Sequence, residues 1–390
     1  MFGFLWLLFS HLFYAYGAKK NERILTIVNA GDVMTHQAVI RCAQRNNKGE
    51  DNNNGFNYVF SRVKPHIEKA DIATFNAEFP VPSKIRNRPR QYVFAAPVAM
   101  IRALKWAGFD VANLANNHAF DQGREGVAET ISAFREVGIL TVGAGYNQEE
   151  AQQFLLVESK EIKVAFIGAT TLFNRNLNSK EPGDPHVNQY KLGKVVEKVK
   201  VARKVADVVI LHVHWGYEGH TQPAEWQKKD AIALMEAGVD VIVGHHPHVL
   251  QPIVSYTASD GRFCVCAMSL GNLVSNQRPA YRYGSASVYG FPRDGALFYV
   301  KFEKENGRVK LVGSTAMPLW TWNDRFDPDN KVKYPWNIQV LPITDALREI
   351  EGQLSGDVSQ TKRRYWVTFR DDLLKRKQNI ISHLGIPEEE

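Results

Sequence analysis

Cysteine is scarce in this sequence, since its 390 residues include only Cys42, Cys264 and Cys266. Three cysteines cannot form a disulfide framework, and none of them belongs to the Cys-x-x-Cys spacing of a thiolate metal site. Cys264 and Cys266 alternate along an apolar run, so we expect them to fill a core as small apolar side chains. A disulfide-stapled fold is therefore excluded, and a thiolate metal site is not indicated.

Long runs of one charge are also missing, apart from Lys362-Arg363-Arg364 and Lys375-Arg376-Lys377, as are a glycine-rich phosphate loop and any base-reading motif. The net charge of +7 and pI near 9.1 nevertheless favour an acidic partner. Charge alone fits an anionic polymer, an anionic lipid or nucleic acid. Because no base-reading motif is present, we expect no nucleic-acid partner.

The apolar run at the N-terminus, residues 2–16, is too short to span a membrane comfortably. Ala15 and Gly17 place small residues where a signal peptidase cleaves, but no Lys or Arg precedes the run. Lys19, Lys20 and Arg23, which follow it, disfavour translocation of that end. We expect residues 1–18 to be a signal peptide or an uncleaved membrane anchor. The protein is then exported and is periplasmic or associated with the membrane of the cell envelope.

What the sequence does contain is a regular alternation of strand-like and helix-like segments. Strands are predicted at Ile24–Val28, Ile72–Phe75, Val111–Leu114, Leu140–Val142, Val208–Val213 and Val239–Val243, and helices over 56–70, Pro97–Trp106, Gly126–Val137 and Trp226–Ala237. The alternation predicts a largely parallel α/β sheet with helical cover. Beyond Pro252 the pattern becomes antiparallel, with hairpin turns at Asp260-Gly261 and Asn306-Gly307.

The C-terminal part of the chain, residues 321–390, is predicted to be a helical extension that packs on the body. Helices are expected at Thr344–Leu354 and Lys362–Leu384, with Gly385 as the stop. Tyr365, Phe369 and Leu373 recur every four residues, which gives the second helix one apolar face. The main domain is expected to cover residues 24–320.

Histidines concentrate at the predicted strand ends. Eight of the twelve lie in or beside four such segments, namely His36, His118, His212, His214, His220, His245, His246 and His248. Oxygen ligands accompany them: Asp32 follows the first strand, and Asn76 and Glu78 lie on one side of the next. Carboxylate, amide and imidazole together suit a divalent ion of borderline hardness.

The segment Asn116-Asn117-His118 combines an amide oxygen that can bind a metal with an imidazole that can transfer a proton or polarise a scissile group. Asp121, three residues later, is spaced either to orient that imidazole or to cap the following helix. His118 and Asp121 are therefore the candidate catalytic residues.

Two His-x-His elements, His212-Val213-His214 and His246-Pro247-His248, each place two imidazoles on one face. As core residues, so many imidazoles would each need a buried hydrogen-bond partner. The set therefore favours metal binding over core packing. Two ions about 4 Å apart, sharing a carboxylate, would suit this inventory.

In order and spacing, these segments resemble the CapA family of bacterial capsule or poly-γ-glutamate synthesis proteins, whose domain is related to calcineurin-like metallophosphoesterases. The segments are Gly31-Asp32, Asn76-x-Glu78, Ala115-Asn116-Asn117-His118-x-x-Asp121-x-Gly123, His214-Trp215-Gly216-x-Glu218, Gly244-His245-His246-Pro247-His248 and Ser269-Leu270-Gly271-Asn272. The resemblance covers about residues 24–300. It implies a four-layer α/β sandwich of two β-sheets flanked by helices.

The resemblance also implies a ligand set for two divalent ions, with Mn, Zn or Fe as candidates and with His118 as the acid or polarising residue. The implied ligands are Asp32, His36, Glu78, Asn117, His214, His246 and His248. Three positions depart from the metallophosphoesterase pattern: His36 is four residues from Asp32 rather than two, Glu78 replaces an aspartate, and Asn116 replaces a glycine. His212 is an alternative to His214, and His245 is an alternative to His246.

Three functions remain open at this point. The first is a metallohydrolase of the cell envelope that cleaves a phosphoester or an amide of a polyglutamate-like chain. The second is a non-catalytic assembly or export factor for an anionic capsular polymer, in which the metal site is structural. The third is a cytoplasmic nucleotide phosphatase. The first two predict an anionic envelope polymer, or the complex that makes it, as the partner.

Overall fold

A computed structural model describes residues 14–15, 23–49, 52–88, 92–179, 181, 183–330 and 334–389. The predicted signal peptide or anchor over residues 1–18 lies outside these ranges, except for a two-residue strand at Tyr14–Ala15. Among the helices in the described ranges, none has the length and apolar content needed to cross a bilayer.

The helices are α1 (Gln37–Arg45), α2 (Asn57–Phe60), α3 (Lys64–Ile67), α4 (Val98–Trp106), α5 (Gly123–Val137), α6 (Gln148–Ala151), α7 (Leu192–Ala202), α8 (Glu225–Ala237), α9 (Ile343–Ser355) and α10 (Gln360–Leu384), with a 3-10 helix at Ser287–Arg293. The strands are β1 (Tyr14–Ala15), β2 (Ile24–Val33), β3 (Ile72–Ala77), β4 (Val111–Asn113), β5 (Leu140–Val142), β6 (Ala144–Gly145), β7 (Leu155–Ser159), β8 (Ile162–Thr170), β9 (His186–Val187), β10 (Val208–His214), β11 (Val241–His245), β12 (Leu250–Thr257), β13 (Phe263–Leu270), β14 (Asn272–Val274), β15 (Asp294–Glu305), β16 (Arg308–Asn323) and β17 (Ile338–Pro342).

Two large sheets organise these strands. The first has the order β1-β7-β8-β10-β11-β13-β12, and the second has the order β17-β16-β15-β2-β3-β4-β5, with β14 added beside β2. The central strands β8, β10 and β11 run parallel, as do β2, β3, β4 and β5. The two predicted hairpins form the antiparallel pairs β12/β13 and β15/β16.

The sheets face each other and helices cover both outer sides. Ile27 of β2 and Val111 of β4 share a buried core with Phe166 of β8 and Ile210 of β10, which places this core between the sheets. Helices α1 to α5 cover the second sheet, and α7 and α8 cover the first. The predicted four-layer sandwich is therefore confirmed.

The C-terminal helices pack against the edge of the core between the sheets. Phe369, Leu373, Ile380 and Leu384 of α10 are buried there, in accordance with the predicted apolar face. Ser359 caps the start of α10, since its side chain accepts a hydrogen bond from the Lys362 amide. Gly385, in the left-handed conformation, caps its end.

Some element bounds differ from the sequence prediction. The predicted boundary at 320/321 falls inside β16, and β17 extends the sheet to Pro342, so the helical part begins at Ile343. Helices α1 and α7 were not predicted. The four-residue helix α6 was not predicted either, although the Asn147 side chain caps its start.

Candidate metal centre

The parallel strands of both sheets end at one place, and the predicted ligands lie there. In the second sheet, Asp32 of β2 is in register with Asn76 of β3 and with Asn272 of β14. In the first sheet, His214 of β10 is in register with His245 of β11. Because the carboxyl ends of parallel strands share an edge, residues distant in sequence converge into one buried cluster.

Asp32 is fully buried and held by several donors. Its Oδ1 accepts a hydrogen bond from Asn76 Nδ2 at 2.8 Å, and its Oδ2 accepts one from the His246 amide at 3.1 Å. His248 Nδ1 lies 3.2 Å from Oδ2, and His245 Nδ1 lies 3.3 Å from Oδ1. Burial alone would raise the pKa of Asp32, but the contacts with His245 and His248 outweigh it and hold the pKa well below its ordinary value. Asp32 therefore offers an ionised, oriented carboxylate that could hold a cation.

Glu78 lies just beyond β3 and is also fully buried. Among the described residues, neither of its carboxylate oxygens has a hydrogen-bond partner. Oε1 is 3.5 Å from His248 Nε2 and 3.9 Å from both His214 Nε2 and His118 Nε2. Burial raises the pKa of Glu78 well above its ordinary value. A buried carboxylate without a partner is costly, and a cation surrounded by these imidazoles would compensate it.

Asn117 and His214 present their ligand atoms to the same point. Asn117 Oδ1 lies 2.9 Å from His214 Nε2, although the residues are 97 positions apart. Two ligands at right angles on an ion, each at about 2.1 Å, lie about 3 Å apart. The spacing therefore fits a shared ion. Burial, with His246 nearby, lowers the pKa of His214 well below its ordinary value, so the imidazole is neutral and available as a ligand.

His246 and His248 reach the cluster through an unusual backbone. Both have positive φ, 97° for His246 and 56° for His248, a conformation that side-chain-bearing residues rarely adopt. Such conformations concentrate at functional sites, where the surrounding structure holds them. Burial would lower the pKa of His248, but Glu78 and Asp32 outweigh it and raise the pKa to about 9. His248 is therefore positively charged, and it lies between Asp32 and Glu78, the position from which a cation would interact with both groups.

Among the residues that the structure describes, possible ligand atoms of His, Cys, Asp and Glu form three groups, and the atoms of each group lie within 4.8 Å of one another. The groups are Asp32, Glu78 and His248; Glu78, His214 and His246; and Glu218, His246 and His248. Glu78 belongs to the first two groups, so its carboxylate would help to hold an ion bound at either of them. The donor set, two carboxylates with imidazoles and an amide, suits a divalent transition metal.

His118 and Asp121 lie at the edge of this cluster. His118 Nδ1 donates to Asp121 Oδ2 at 2.8 Å, and the same oxygen accepts the Phe94 amide at 2.6 Å. The ring of Phe94 packs on the imidazole, with centroids 4.3 Å apart. With Nδ1 committed to Asp121, His118 presents Nε2 towards Glu78 and the open cleft.

His36 lies apart from the three ligand groups. Its Nδ1 accepts a hydrogen bond from the Asn276 amide at 3.1 Å, and its ring meets Phe94 edge-on with centroids 5.3 Å apart. Burial lowers its pKa to about 4, so the ring is neutral at pH 7. The structure places His36 on the cleft wall beside the centre, and its role as a ligand stays a prediction.

The two histidine alternatives occupy a different place from His214 and His246. His212 and His245 stack in parallel behind Asp32, with ring centroids 5.4 Å apart and His212 Nδ1 3.1 Å from His245 Nε2. Neither belongs to a ligand group among the described residues. The alternation pattern alone could not make this distinction because His212 and His214 share a face.

Three residues of the site were not predicted as functional. Asn174 Oδ1 accepts a hydrogen bond from Asn117 Nδ2 at 3.2 Å, which turns the Asn117 oxygen towards His214. Asn272 Oδ1 lies 3.1 Å from His248 Nδ1 and shares its hydrogen with Asp32 Oδ2, while His248 Nε2 faces Glu78. Glu218 joins the third ligand group from the cleft side. Asn272 and Glu218 stand in the quoted motifs, whereas Asn174 lies in a polar loop without a pattern.

A cleft of about 1080 Å³ opens next to the centre. Its lining includes Met34, His36, Phe94 and His118, together with residues of the 276–292 segment such as Arg278, Arg282 and Tyr289. This volume lies at the upper end of the usual range of small-molecule sites.

Fold and site together define an α/β sandwich of two sheets with a candidate metal centre at the shared strand ends. The family model of the bacterial capsule synthesis protein PGA_cap matches residues 26–277. The chain is 34% identical over 306 residues to the capsule biosynthesis protein CapA of Bacillus anthracis, covering 76% of this chain and 71% of that protein. It is 30% identical over 266 residues to the PGA biosynthesis protein CapA of Bacillus subtilis, covering 66% and 65%. The chain therefore belongs to the bacterial capsule synthesis protein family, which confirms the predicted resemblance.

Solved structures show a more distant similarity. The calcineurin-like phosphoesterase YfkN from Bacillus subtilis is 16% identical, with a TM-score of 0.42, covering 76% of this chain and 90% of that one. A putative 5'-nucleotidase from Staphylococcus aureus is 11% identical, with a TM-score of 0.45, covering 89% and 58%.

Proposed function

We propose that this protein is a metal-dependent hydrolase of the cell envelope that acts in the synthesis of a capsule or of poly-γ-glutamate. The observation that carries the proposal is Glu78, a fully buried carboxylate without a hydrogen-bond partner among the described residues, ringed by imidazoles. The bond cleaved is a phosphoester or a γ-glutamyl amide. Family membership supports the biological setting, and the basic charge of the chain supports an anionic polymer, or its synthesis complex, as partner.

The centre is proposed to hold two divalent ions, with Mn, Zn or Fe as candidates. Asp32, Glu78 and His248 would hold one, and Glu78, Asn117, His214 and His246 would hold the other. Bound there, such ions supply Lewis-acid polarisation of the scissile group and lower the pKa of an attacking water.

Of the chain's own residues, His118 is proposed to move the proton. Asp121 fixes its orientation and keeps a proton at Nδ1, so that Nε2 exchanges a proton with the leaving group of a substrate in the cleft. The Phe94 amide donates to Asp121 Oδ2, and the Phe94 ring packs on the His118 imidazole.

The test measures metal content and the hydrolysis of bis-p-nitrophenyl phosphate and γ-glutamyl p-nitroanilide. His118→Ala is expected to lower kcat by about 10²- to 10⁴-fold with unchanged metal content. Asn117→Ala is expected to lose metal as well. His66→Ala is the matched control, because this histidine pairs with Asp345 away from the site.

A second candidate is a non-catalytic assembly or export factor that binds the polymer. The large cleft with Arg278, Arg282 and Tyr289 on its wall favours this candidate, because it offers binding surface beyond the centre. Bound metal without turnover on a broad panel, together with normal capsule in a His118→Ala strain, would reject the hydrolase and favour the second candidate.

The location at the cell envelope is part of the proposal. Export, by a signal peptide or with a membrane anchor at residues 1–18, is tested by fractionating cells that express a C-terminally tagged chain. Recovery of the tagged protein in the envelope or periplasmic fraction is expected. Recovery in the cytoplasm alone would contradict this location.

A further inference from the structure

The longest continuous part of the cleft lining comes from one segment, residues 276–294, which begins where the family match at 26–277 ends and is called the wall below. The segment has no strand until Asp294 and consists of turns followed by the 3-10 helix. It presents Arg278, Arg282 and Tyr289 to the cleft, and Tyr289 is 59% exposed. A wall with so little regular structure needs support from another part of the chain.

The support comes from α10. Arg376 of this helix is 1% exposed, and its Nη1 donates to both carboxylate oxygens of Asp294 at 2.9 Å. Its Nε donates to Asp372 Oδ2, also at 2.9 Å. Asp372 Oδ1 in turn accepts the Tyr281 hydroxyl at 2.7 Å and the Gly284 amide at 3.3 Å. One arginine and one aspartate of α10 therefore bind the wall at three points along its length.

The packing of the wall is matched to this guanidinium. A Cβ atom at Gly290, in the 3-10 helix, would lie 1.9 Å from Nη2 of Arg376. The guanidinium also lies over the rings of Tyr281 and Trp320, at 4.6 Å and 4.2 Å from their centroids. Because residue 290 is a glycine, the guanidinium of Arg376 fits between α10 and the 3-10 helix of the wall.

The same wall reaches the metal centre. The carbonyl oxygen of Pro292 accepts a hydrogen bond from Asn272 Nδ2 at 2.9 Å, and Asn272 Oδ1 accepts the His248 Nδ1 hydrogen at 3.1 Å. Asn272 Nδ2 also lies 3.0 Å from Gln277 Oε1 and 3.2 Å from the His248 carbonyl. Of these three acceptors only the His248 carbonyl lies outside the wall, and this contact together with His248 Nδ1 holds Asn272 when the wall loosens.

We infer that α10 is a structural part of the functional cleft, and that Arg376 is the positioning residue that fixes residues 276–294 as its wall. Simple attachment of a helix would need only apolar packing, which α10 already has. A buried arginine between two aspartates is expensive to desolvate, and its forked geometry specifies one arrangement of its partners. The inference depends on the proposed function in one respect, namely that the cleft binds the anionic polymer.

The primary test is hydrogen–deuterium exchange of the full-length metal-free protein. Arg376→Lys keeps the charge but loses the planar fork that bonds Asp294 and Asp372 together. We expect exchange in 276–294 to become about tenfold faster or more, with β10 unchanged. The control is Arg370→Lys on the same helix, whose pairs with Asp371 and Glu351 do not touch the wall.

A wall that exchanges at the parent rate in folded Arg376→Lys, or equal acceleration throughout the protein, would overturn the inference. Gly290→Ala provides a second variant, which keeps every charge. Its added Cβ atom would displace the Arg376 guanidinium from its place against the wall. If Arg376→Lys does not fold, Gly290→Ala is judged by the same two criteria.

Binding separates a cleft role from general support of the fold. The probe is a fluorescein-labelled oligo-γ-glutamate of about ten residues, measured by anisotropy, with Mn²⁺ affinity measured in parallel. We expect a Kd for the oligomer about tenfold weaker in Arg376→Lys, with Mn²⁺ affinity within about threefold of the parent. An unchanged oligomer Kd despite faster wall exchange would overturn the cleft role. If the parent itself does not bind the oligomer, the proposed polymer partner is wrong, and the exchange result alone decides the role of Arg376.

Discussion

Replacing Glu78 by glutamine separates the cost of burying this carboxyl group from the benefit of a bound ion. Glutamine has almost the same shape and is neutral at every pH, so it avoids the cost of keeping a buried carboxyl protonated at neutral pH. The metal-free Glu78→Gln protein should therefore be more stable than the parent at neutral pH. Since a glutamine cannot bridge two ions as a carboxylate does, the variant should also gain little stability from added metal.

The magnitude follows from the raised pKa of Glu78. When a carboxyl stays protonated in the folded protein, folding stability falls by about 1.4 kcal/mol per pH unit above its unfolded pKa. From the ordinary value of 4.5 to pH 7 this amounts to at most about 3 kcal/mol. An unfolding entropy of about 2.1 cal/mol/K per residue converts this into about 4 °C for 390 residues.

Metal should act in the opposite direction on the parent. An ion at about a thousand times its Kd stabilises the folded state by about 4 kcal/mol, or roughly 5 °C on the same scale. Differential scanning fluorimetry with and without Mn²⁺ measures both effects. Glu197→Gln, an exposed position on α7, is the matched control and should behave as the parent.

The pH dependence carries a definite sign. Because the folded pKa of Glu78 is raised, its contribution to stability is fully present below about pH 4.5 and is lost as the pH rises. The advantage of metal-free Glu78→Gln should thus be small below pH 4.5 and widen above it. A metal-free variant less stable than the parent at pH 7, or equal Mn²⁺ stabilisation of both proteins, would refute the reasoning.

Three further outcomes are expected. Gly244→Ala should lower the free energy of unfolding in urea by more than about 3 kcal/mol, since its Cβ would lie 1.9 Å from the Met268 carbonyl oxygen; a change under 1 kcal/mol would contradict this. Asn174→Ala should weaken Mn²⁺ binding about tenfold or more by calorimetry, because Asn174 holds the Asn117 amide; unchanged affinity would remove Asn174 from the site. Burial raises the pKa of Cys42 to about 11 and places the Cys266 pKa well above its ordinary value, so neither thiol should react with Ellman's reagent at pH 8 until the protein is denatured.

Much of the site could be predicted because its residues follow parallel strands. Asp32, His214 and His246 each come at the end of a run of buried apolar residues, and the carboxyl ends of such strands must meet. Strand alternation then indicates which neighbours share a face. Each segment by itself therefore indicates that its polar residue lies at the strand end where the other candidate ligands also lie.

The choice between neighbouring histidines depends on tertiary geometry instead. His212 and His214 share a face, and only the position of His214 as the last residue of β10 brings it to Glu78. His246 reaches the centre because its φ of 97° turns the chain immediately after β11. No sequence pattern predicts a positive φ at a residue other than glycine.

Residues that act through long-range hydrogen bonds could not be predicted. Asn174 meets Asn117 across 57 positions, and Arg376 meets Asp294 across 82. Asparagine in a polar loop and arginine in a charged helix are each most often solvent-exposed, so neither stood out. Such partners become recognisable only when the packing shows that they are buried or shared.

The most direct test of the central claim is anomalous diffraction from crystals of the protein loaded with Mn²⁺. The account predicts two peaks about 4 Å apart, one surrounded by Asp32, Glu78 and His248, the other by Glu78, Asn117, His214 and His246. The absence of any peak between these residues at saturating Mn²⁺, or a single peak that Glu78 does not contact, would contradict it.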